Sequence, residues 1–508
     1  MNFPWPIQNR MQNLKISLSR FELLRPFLTP QNTLLHRAAW ETRWIFAIRF
    51  GKRIIFLIQK LILARLLLPK DFGLFGIVLI AASTLGLLNI TGFKSALIQK
   101  QGERNTHLNT AWTVLVIQGC FSAVLLFLLS GPISAFFGES RAINLIKVFS
   151  VCLLLNGFIN IGTIYFAKEL KFKKQFIFDM IEVLVDVIIS ISLAIVFCNV
   201  WALVAGAVIG KIARLISSFL LHEYRPTFKF DWLSFKELFV FGKWMWLSTF
   251  LSFLMLQGDN LFVGKILGAT SLGLYIIAYS VGTFSKTAFG NVLISVLFPT
   301  YSKLQNNLMQ LRKAYLKVTR SLTFLILPIT VGIVILTSDF VKLALGDAWI
   351  STIPLIQILA VSSMLNVLTD HSKTLFRGKG FPKYATVSEI LFLVFAGGLI
   401  YPFTILLGLP GVAVAVLCGA FVSWLYSEYV AIKILSIKAT EVVKAYSINI
   451  LSTLLMGILL ILLKSIIINS SLLSIIMLPP AGLAIFMLSV FVIDSKFENE
   501  RISDTVRK

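Results

Sequence analysis

The stretch Leu63–Ile80, LARLLLPKDFGLFGIVLI, returns in altered form two hundred residues later as Val263–Ser280, VGKILGATSLGLYIIAYS. Under that offset Leu67, Gly73, Leu74 and Ile77 meet Leu267, Gly273, Leu274 and Ile277, Arg65 meets Lys265, and Phe75 meets Tyr275. Both copies have one plan: an apolar run with a basic residue near its end, a short break, and a glycine opening the next run. That plan reads as helix, tight turn, helix, once in each half of the chain. Internal repeats in an apolar chain of this kind mark transporters whose halves close on a central site.

Composition sets the solvent. Of 508 residues 57% are hydrophobic and only 14% charged, where soluble domains carry about 25% charged residues. The chain is read as all-α and polytopic, because a span needs ~20 apolar residues and backbone inside lipid must satisfy its own hydrogen bonds. Fourteen spans are expected, at 42–66, 72–97, 109–130, 142–166, 176–198, 200–221, 239–267, 273–297, 319–341, 352–376, 384–406, 410–432, 442–463 and 472–493.

The net charge of +24 could suggest nucleic acid in a soluble protein, but its placement argues otherwise. Alternate loops at 94–108, 168–174, 222–237, 303–320, 373–383 and 433–444 hold 22 Lys and Arg, and the remaining loops hold four, Lys70, Arg141, Lys342 and Lys464. Such asymmetry assigns the rich loops to the cytoplasm, and an even number of spans then puts both termini there. The first 40 residues are basic and too interrupted to span. They read as an interfacial segment attracted to anionic lipid, or as a tail outside the fold, with Met11 as an alternative start. Cys120, Cys152, Cys198 and Cys418 all fall within expected spans, so no disulfide is expected. No zinc spacing, phosphate-binding loop or nucleophile elbow is found in its required context, and the chain is expected not to be an enzyme.

The string ARLLLPKDFGLFGI followed by TGFKSALIQK, with FGKWMW, QGDNLFVGKILGATSLGLY and VLFPTYSKLQ later, resembles the oligosaccharide flippases of polysaccharide export, the Wzx and WzxC-like proteins. Their superfamily also holds MurJ-type lipid flippases and MATE exporters. The resemblance runs from about Trp40 to Ile434. It implies an N-lobe over 41–221, an inter-lobe loop at 222–237, a C-lobe over 238–434, two further helices within 435–493, and a tail at 494–508. It also implies a lipid-linked oligosaccharide as substrate, no cofactor, and basic residues of the first and eighth spans lining a cavity.

Charge inside the spans is costly and asks for a reason. In the first span Arg49, Arg53, Phe56 and Lys60 fall within about 40° of one line, with Lys52 alongside. A stripe of that sign suits a phosphate-bearing ligand, which guanidinium grips in a two-pronged fashion. The resemblance carries pyrophosphate binding to Arg49, Lys52, Arg53 and Lys286, with Lys94 as a lesser candidate; the bland alternative is that the first-span cations snorkel to the interface. In the fifth span Asp179, Glu182 and Asp186 share one face, opposite Lys211 and Arg214 of the sixth. They read as structural partners of those cations, or, at Asp186, as a proton-coupling acid. Asp259 in the seventh span is either half of a structural pair with Lys243 or Lys286, or a cation-coupling acid with Glu389 or Glu428. Coupling to protons or sodium is open, and no metal is expected. Trp244, Trp246, Tyr275 and Tyr279 could stack on sugar. Two rivals were weighed: a MATE-like antiporter, whose cationic drugs want an acidic cavity, and a membrane glycosyltransferase or polymerase, which would need a large loop bearing catalytic acids.

Overall fold

In a computed structural model the described residues are 51–87, 93, 97, 105–169, 171–466 and 471–506, with side chains described outside 237–252, 255, 287–295, 471 and 493–506. Among them no strand occurs. The helices in chain order are α1 (51–66), α2 (Pro69–Gly86), α3 (Asn105–Phe137), α4 (Ala142–Phe158), α5 (Phe172–Phe197), α6 (Trp201–Leu220), α7 (Trp232–Ile266), α8 (Gly268–Gly282), α9 (Phe284–Leu304), α10 (Leu308–Phe340), α11 (Ile353–Gly378), α12 (Pro382–Leu407), α13 (Leu409–Leu435), α14 (Ala439–Ile466) and α15 (Ser471–Val506). Ten are long and apolar enough to cross a membrane, and α4 with Ile161–Lys168, bent by 70°, makes an eleventh. Eleven of the fourteen expected crossings thus have a counterpart that meets this test. The N-terminal 40 residues, with Arg49 and Lys94, lie outside the described residues.

Local chemistry fixes several boundaries. Pro69 starts α2 where its missing N–H costs nothing, and the Asp71 carboxylate accepts from the Leu68 amide at 3.3 Å. Asp231 caps α7 by accepting from Ser234 N at 2.8 Å. Pro354 sits in the first turn of α11 and makes no kink there, whereas Pro328 and Pro402 lie inside α10 and α12.

Three expected spans change shape. In the second, helix α2 ends at Gly86, and Phe93 and Leu97 are again helical. The fourth stops at Phe158; Asn160 then accepts from Gly162 N at 2.9 Å and donates to the Tyr224 carbonyl at 2.6 Å, turning the chain along the inter-lobe loop. The eighth is two helices. Thr283 breaks it, its hydroxyl donating back to the Tyr279 carbonyl at 2.7 Å, a competition with the helix ladder that bends helices. Cys198, expected within a span, instead ends α5 in the left-handed conformation (φ 48°) and is exposed.

The two copies of the repeat meet each other. A Cβ on Gly73 would lie 1.7 Å from the Ala269 carbonyl oxygen, and one on Gly273 would lie 1.8 Å from that of Pro69. Ala269 is the repeat mate of Pro69, so the contact is its own mirror: i touches j′ as i′ touches j, the pattern of a two-fold interface. Backbone reaches backbone because both positions lack a side chain, as small residues permit between membrane helices. Around this crossing one apolar core joins both halves through Leu63, Leu74 and Ile77 on one side and Val263, Leu272, Ile277 and Trp349 on the other. It lies toward the ends that carry the cation-poor loops. Toward the cation-rich ends the clusters formed by the described residues are separate. One, with Tyr301, Tyr315, Phe376 and Leu435, draws only on C-lobe helices and the start of α14, and another, with Phe93, Leu97 and Trp112, draws on the N-lobe and the inter-lobe loop. The molecule is therefore shut at the cation-poor end. Helices α14 and α15 lean on α10, where Lys464 pairs with Asp339 at 2.6 Å and Asn449 donates to Thr323 at 2.8 Å.

Candidate functional site

Within the C-lobe a cavity of about 220 Å³ is lined by Asp259, Tyr279, Thr283, Lys286, Lys373 and Glu389, among others. Several features of the sequence converge there. The break at Thr283 makes Lys286 the third residue of a new helix, whereas its expected place was deep inside a continuous one. Its backbone N–H donates to Ser363 Oγ at 3.2 Å, and Ser363 also bonds Ser285 at 3.1 Å, so α11 holds the start of α9 in place. Among the described residues Lys286 has no carboxylate within 4 Å.

Across the junction, α1 supplies more positive charge. Lys60 Nζ donates to Ser280 Oγ at 2.6 Å, next to the cavity-lining Tyr279. Arg53 lies within electrostatic reach of Lys60 and Tyr279. Neither Arg53 nor Lys60 pairs with an acid among the described residues. Lys52, on the same helix, behaves differently: it pairs with Asp179 at 3.2 Å, so its charge is neutralised inside the N-lobe.

Asp259 lines the cavity and accepts from the Tyr275 hydroxyl at 2.8 Å and from the Asn260 amide at 2.8 Å. No ion pair to Lys286 forms, and the Lys243 side chain lies outside the described residues. Glu389 shares the cavity but is held by Lys373 at 3.6 Å and Arg377 at 3.4 Å. Glu428 is elsewhere: buried, it accepts from Tyr315, Ser372 and Tyr446 at 3.1 to 3.3 Å. Next to it His371 stacks on Tyr315 and bonds the Tyr301 hydroxyl at 2.6 Å. Sequence reasoning missed this hydroxyl network, because single Tyr and Ser residues scattered over α9, α10, α11 and α14 leave no local pattern. Tyr275 is wholly buried and Tyr279 faces the cavity; Trp244 and Trp246 have side chains outside the description.

The acids of α5 divide. Glu182 pairs with Lys211 at 2.6 Å and with Arg214, and Asp179 pairs with Arg214 at 3.3 Å and with Lys52. The guanidinium also lies 4.6 Å from the Phe178 ring centre. Asp186 joins no ion pair among the described residues. Its Oδ1 is 3.4 Å from Gln59 Nε2, and its backbone and side chain press on Gly206 and Gly210. Gln59 also donates to Ser190 at 2.7 Å.

A second cavity, against the inter-lobe loop, is lined by Tyr165, Lys171, Lys174 and His222. His222 Nδ1 accepts from the Tyr224 amide at 3.1 Å, and burial holds its pKa below the ordinary histidine range, which keeps that nitrogen free to accept. The loop continues along α3, where Asn109, Thr110 and Thr113 bond the backbone of Thr227, Asp231 and Lys229. This cavity belongs to the anchoring of the loop.

Two halves of the chain in contact through the matched glycines Gly73 and Gly273, with a polar cavity in the second half, define an α-helical membrane protein of the transporter type. The chain belongs to the polysaccharide biosynthesis protein family, whose model matches residues 62–354. It is 23% identical over 460 residues to an uncharacterized membrane protein in the cps region of Klebsiella pneumoniae, covering 90% of this chain and 95% of that one. It is 27% identical over 315 residues to the lipopolysaccharide biosynthesis protein WzxC of Escherichia coli K12, covering 61% of this chain and 63% of that relative. Among solved structures it superposes on the lipid II flippase MurJ in an inward closed conformation with a TM-score of 0.69 at 15% identity, over 90% of this chain and 99% of that one. At that identity the likeness concerns the fold.

Proposed function

We propose that this protein is a flippase that carries a polyprenyl-pyrophosphate-linked oligosaccharide from the cytoplasmic to the outer leaflet of a bacterial inner membrane. The reading has both termini in the cytoplasm, the cation-poor loops outside, and a monomer working beside polysaccharide polymerase machinery without covalent chemistry of its own. The observation that carries it is Lys286 lining the C-lobe cavity, with Arg53 and Lys60 of α1 facing its Tyr279 and Ser280 side, none of the three with a carboxylate within 4 Å among the described residues. Fixed cations held next to a cavity in a low-dielectric surround call for an anion, and pyrophosphate supplies more than one negative charge. At about 220 Å³ the cavity suits a compact anionic group better than a drug-sized ligand, whose pockets run to about 300–1,000 Å³. The glycan would extend into the parting between the lobes on the cation-rich side, and the isoprenoid tail would stay in lipid.

The lobes then alternate. Joined at the outer end and parted inside, this conformation is the one that receives substrate from the cytoplasm. A relative named for lipopolysaccharide biosynthesis supports the substrate class. A drug antiporter is the second reading; it would rely on Asp259, the cavity acid without a cation, against three unpaired cations. Coupling to a proton or sodium gradient would fall to Asp259 or Asp186, the two acids on the notable faces that lack a cationic partner among the described residues.

The test is export. In cells lacking their own flippase, Arg53→Ala and Lys286→Ala should each abolish surface polysaccharide while the protein still reaches the membrane at normal levels. Undiminished export by both variants would remove the cations from the substrate path and sink the reading.

A further inference from the structure

The two basic residues that the repeat sets opposite each other do not point into the cavity. Arg65 stands at the end of α1 and Lys265 at the end of α7, and each crosses to the other lobe. Arg65 donates from Nε to the carbonyl of Ala344 at 3.0 Å and from Nη2 to the carbonyls of Lys342, at 3.2 Å, and Leu343. These carbonyls belong to the π turn Val341–Leu345 that ends α10 before Gly346 (φ 98°). Lys265 donates from Nζ to the carbonyl of Phe136 at 2.7 Å, one residue before the end of α3, and lies 4.5 Å from the centre of that ring. Helices α3 and α10 carry the third span of each repeat. The same cation in both halves therefore takes the C-terminal carbonyls of the same helix in the opposite lobe.

Those carbonyls have no partner within their own helix and sit at the negative end of its dipole, so a cation is their natural complement. No carboxylate takes part: among the described residues neither Arg65 nor Lys265 forms an ion pair. Among the described residues the rest of the junction is the glycine crossing and apolar packing, with Trp349 donating to the Ala64 carbonyl at 2.8 Å and, deeper, Lys60 donating to Ser280 at 2.6 Å.

We propose that Arg65 and Lys265 form a paired latch that holds the lobes shut at the cation-poor end and releases as a unit when the protein opens to that side. The pairing follows from the symmetry. A rotation that separates the lobes about the pseudo-two-fold axis draws both cations off their carbonyls together, while a tilt that frees one presses the other home. Because its acceptors are main-chain carbonyls, the latch has no acid to titrate and holds equally at the pH of either compartment. The inference deepens the transport reading, yet its readout is a distance and not export, so either can fail alone.

Spin labels at Ser140 and Ala348, exposed positions on the cation-poor ends of the two lobes, would report the gap in the full chain, cysteine-free and in lipid nanodiscs, by pulsed electron resonance. Arg65→Gln and Lys265→Gln should each raise the ratio of long to short distances by about tenfold, the scale on which losing a charge-assisted hydrogen bond moves a two-state equilibrium. The double variant should show roughly the product, and Lys265→Arg, which keeps the donor, should stay closed. Unchanged distances in both single variants would overturn the latch. A response to only one of them would overturn the pairing, and a gap in Lys265→Arg as wide as in Lys265→Gln would assign the effect to packing instead of donation.

Discussion

The N-lobe and the C-lobe repeat one plan, yet they hold buried acid by opposite means. In the N-lobe Asp179 and Glu182 sit in a five-membered ionic cluster with Lys52, Lys211 and Arg214, whose side chains remain 11 to 27% exposed. In the C-lobe Glu428, as buried as Asp179 at 7% against 8% exposure, has hydroxyls in place of cations: Tyr315 and Ser372, both wholly buried, and Tyr446. The difference teaches that the repeat conserves backbone crossings and leaves interior chemistry free. The cations that neutralise Asp179 and Glu182 keep some hydration of their own, which offsets desolvation of the cluster. Glu428 is instead held by neutral donors from three helices, each of which must be present.

The largest expected effect tests the ionic side. Arg214→Met should leave Asp179 and Glu182 with the two lysines only and remove the contact to Phe178. Breaking one side of a largely buried ion cluster costs about 3 kcal/mol, reduced here by the remaining exposure of the group, so thermal unfolding in detergent should show a clear loss. Adding Glu182→Leu should return part of it. No loss in the single variant would mean that the cluster is solvated in the membrane and that the contrast between the lobes is smaller than drawn.

A smaller effect is expected where the lobes are alike. A methyl on Gly73 or Gly273 would meet a carbonyl oxygen at under 2 Å, and overpacking of this kind costs about 1–3 kcal/mol. Gly73→Ala and Gly273→Ala should therefore destabilise by similar amounts, while Gly86→Ala, which meets nothing within 4 Å, should not. Unequal losses at the two repeat positions would show that the crossing is less symmetric than its contacts.

Much of this was legible before the structure. Arg65 and Lys265, Gly73 and Gly273 stand out in the repeat because both copies solve the same steric problem with the same residue types. The ionic cluster was legible because helical spacing puts Asp179 and Glu182 on one face and the next helix offers Lys211 and Arg214 within one hairpin. Three kinds of feature were not. Breaks at Phe158 and Thr283 depend on side chains bonding back to main chain, which hydropathy does not register. The acceptors of Arg65 and Lys265 are carbonyls, which every residue carries, so the contacts have no sequence signature. The Glu428 network and the solitary placing of Asp186 depend on which helices become neighbours, and spacing within one helix says nothing of that. Lys52 shows the same limit: it lies on the cationic stripe with Arg53, but a one-residue turn of about 100° delivers it to Asp179 instead of the cavity side.

The smallest expected effect concerns two of the acids that have no cationic partner among the described residues. Glu428 and Asp186 differ in partners: Glu428 accepts from three hydroxyls, whereas among the described residues Asp186 has the 3.4 Å contact to Gln59 alone. Glutamine at 428 keeps one acceptor oxygen and adds an amide that finds only hydroxyls, which can accept as well as donate. Glu428→Gln should therefore cost about 1 kcal/mol, the worth of one hydrogen bond. Asparagine at 186 removes a charge that nothing neutralises, keeps an acceptor for Gln59, and retains the volume that Gly206 and Gly210 fit around, so its cost should be under about 1 kcal/mol. Thermal unfolding of both variants, beside export driven with and without a pH gradient, separates structure from coupling. If Asp186 carries a proton, Asp186→Asn stays folded and loses only the gradient-driven part; if it is structural, export follows stability. A loss of several kcal/mol at Asp186 would require a cationic partner from the residues preceding α1, and would make the N-lobe ionic throughout.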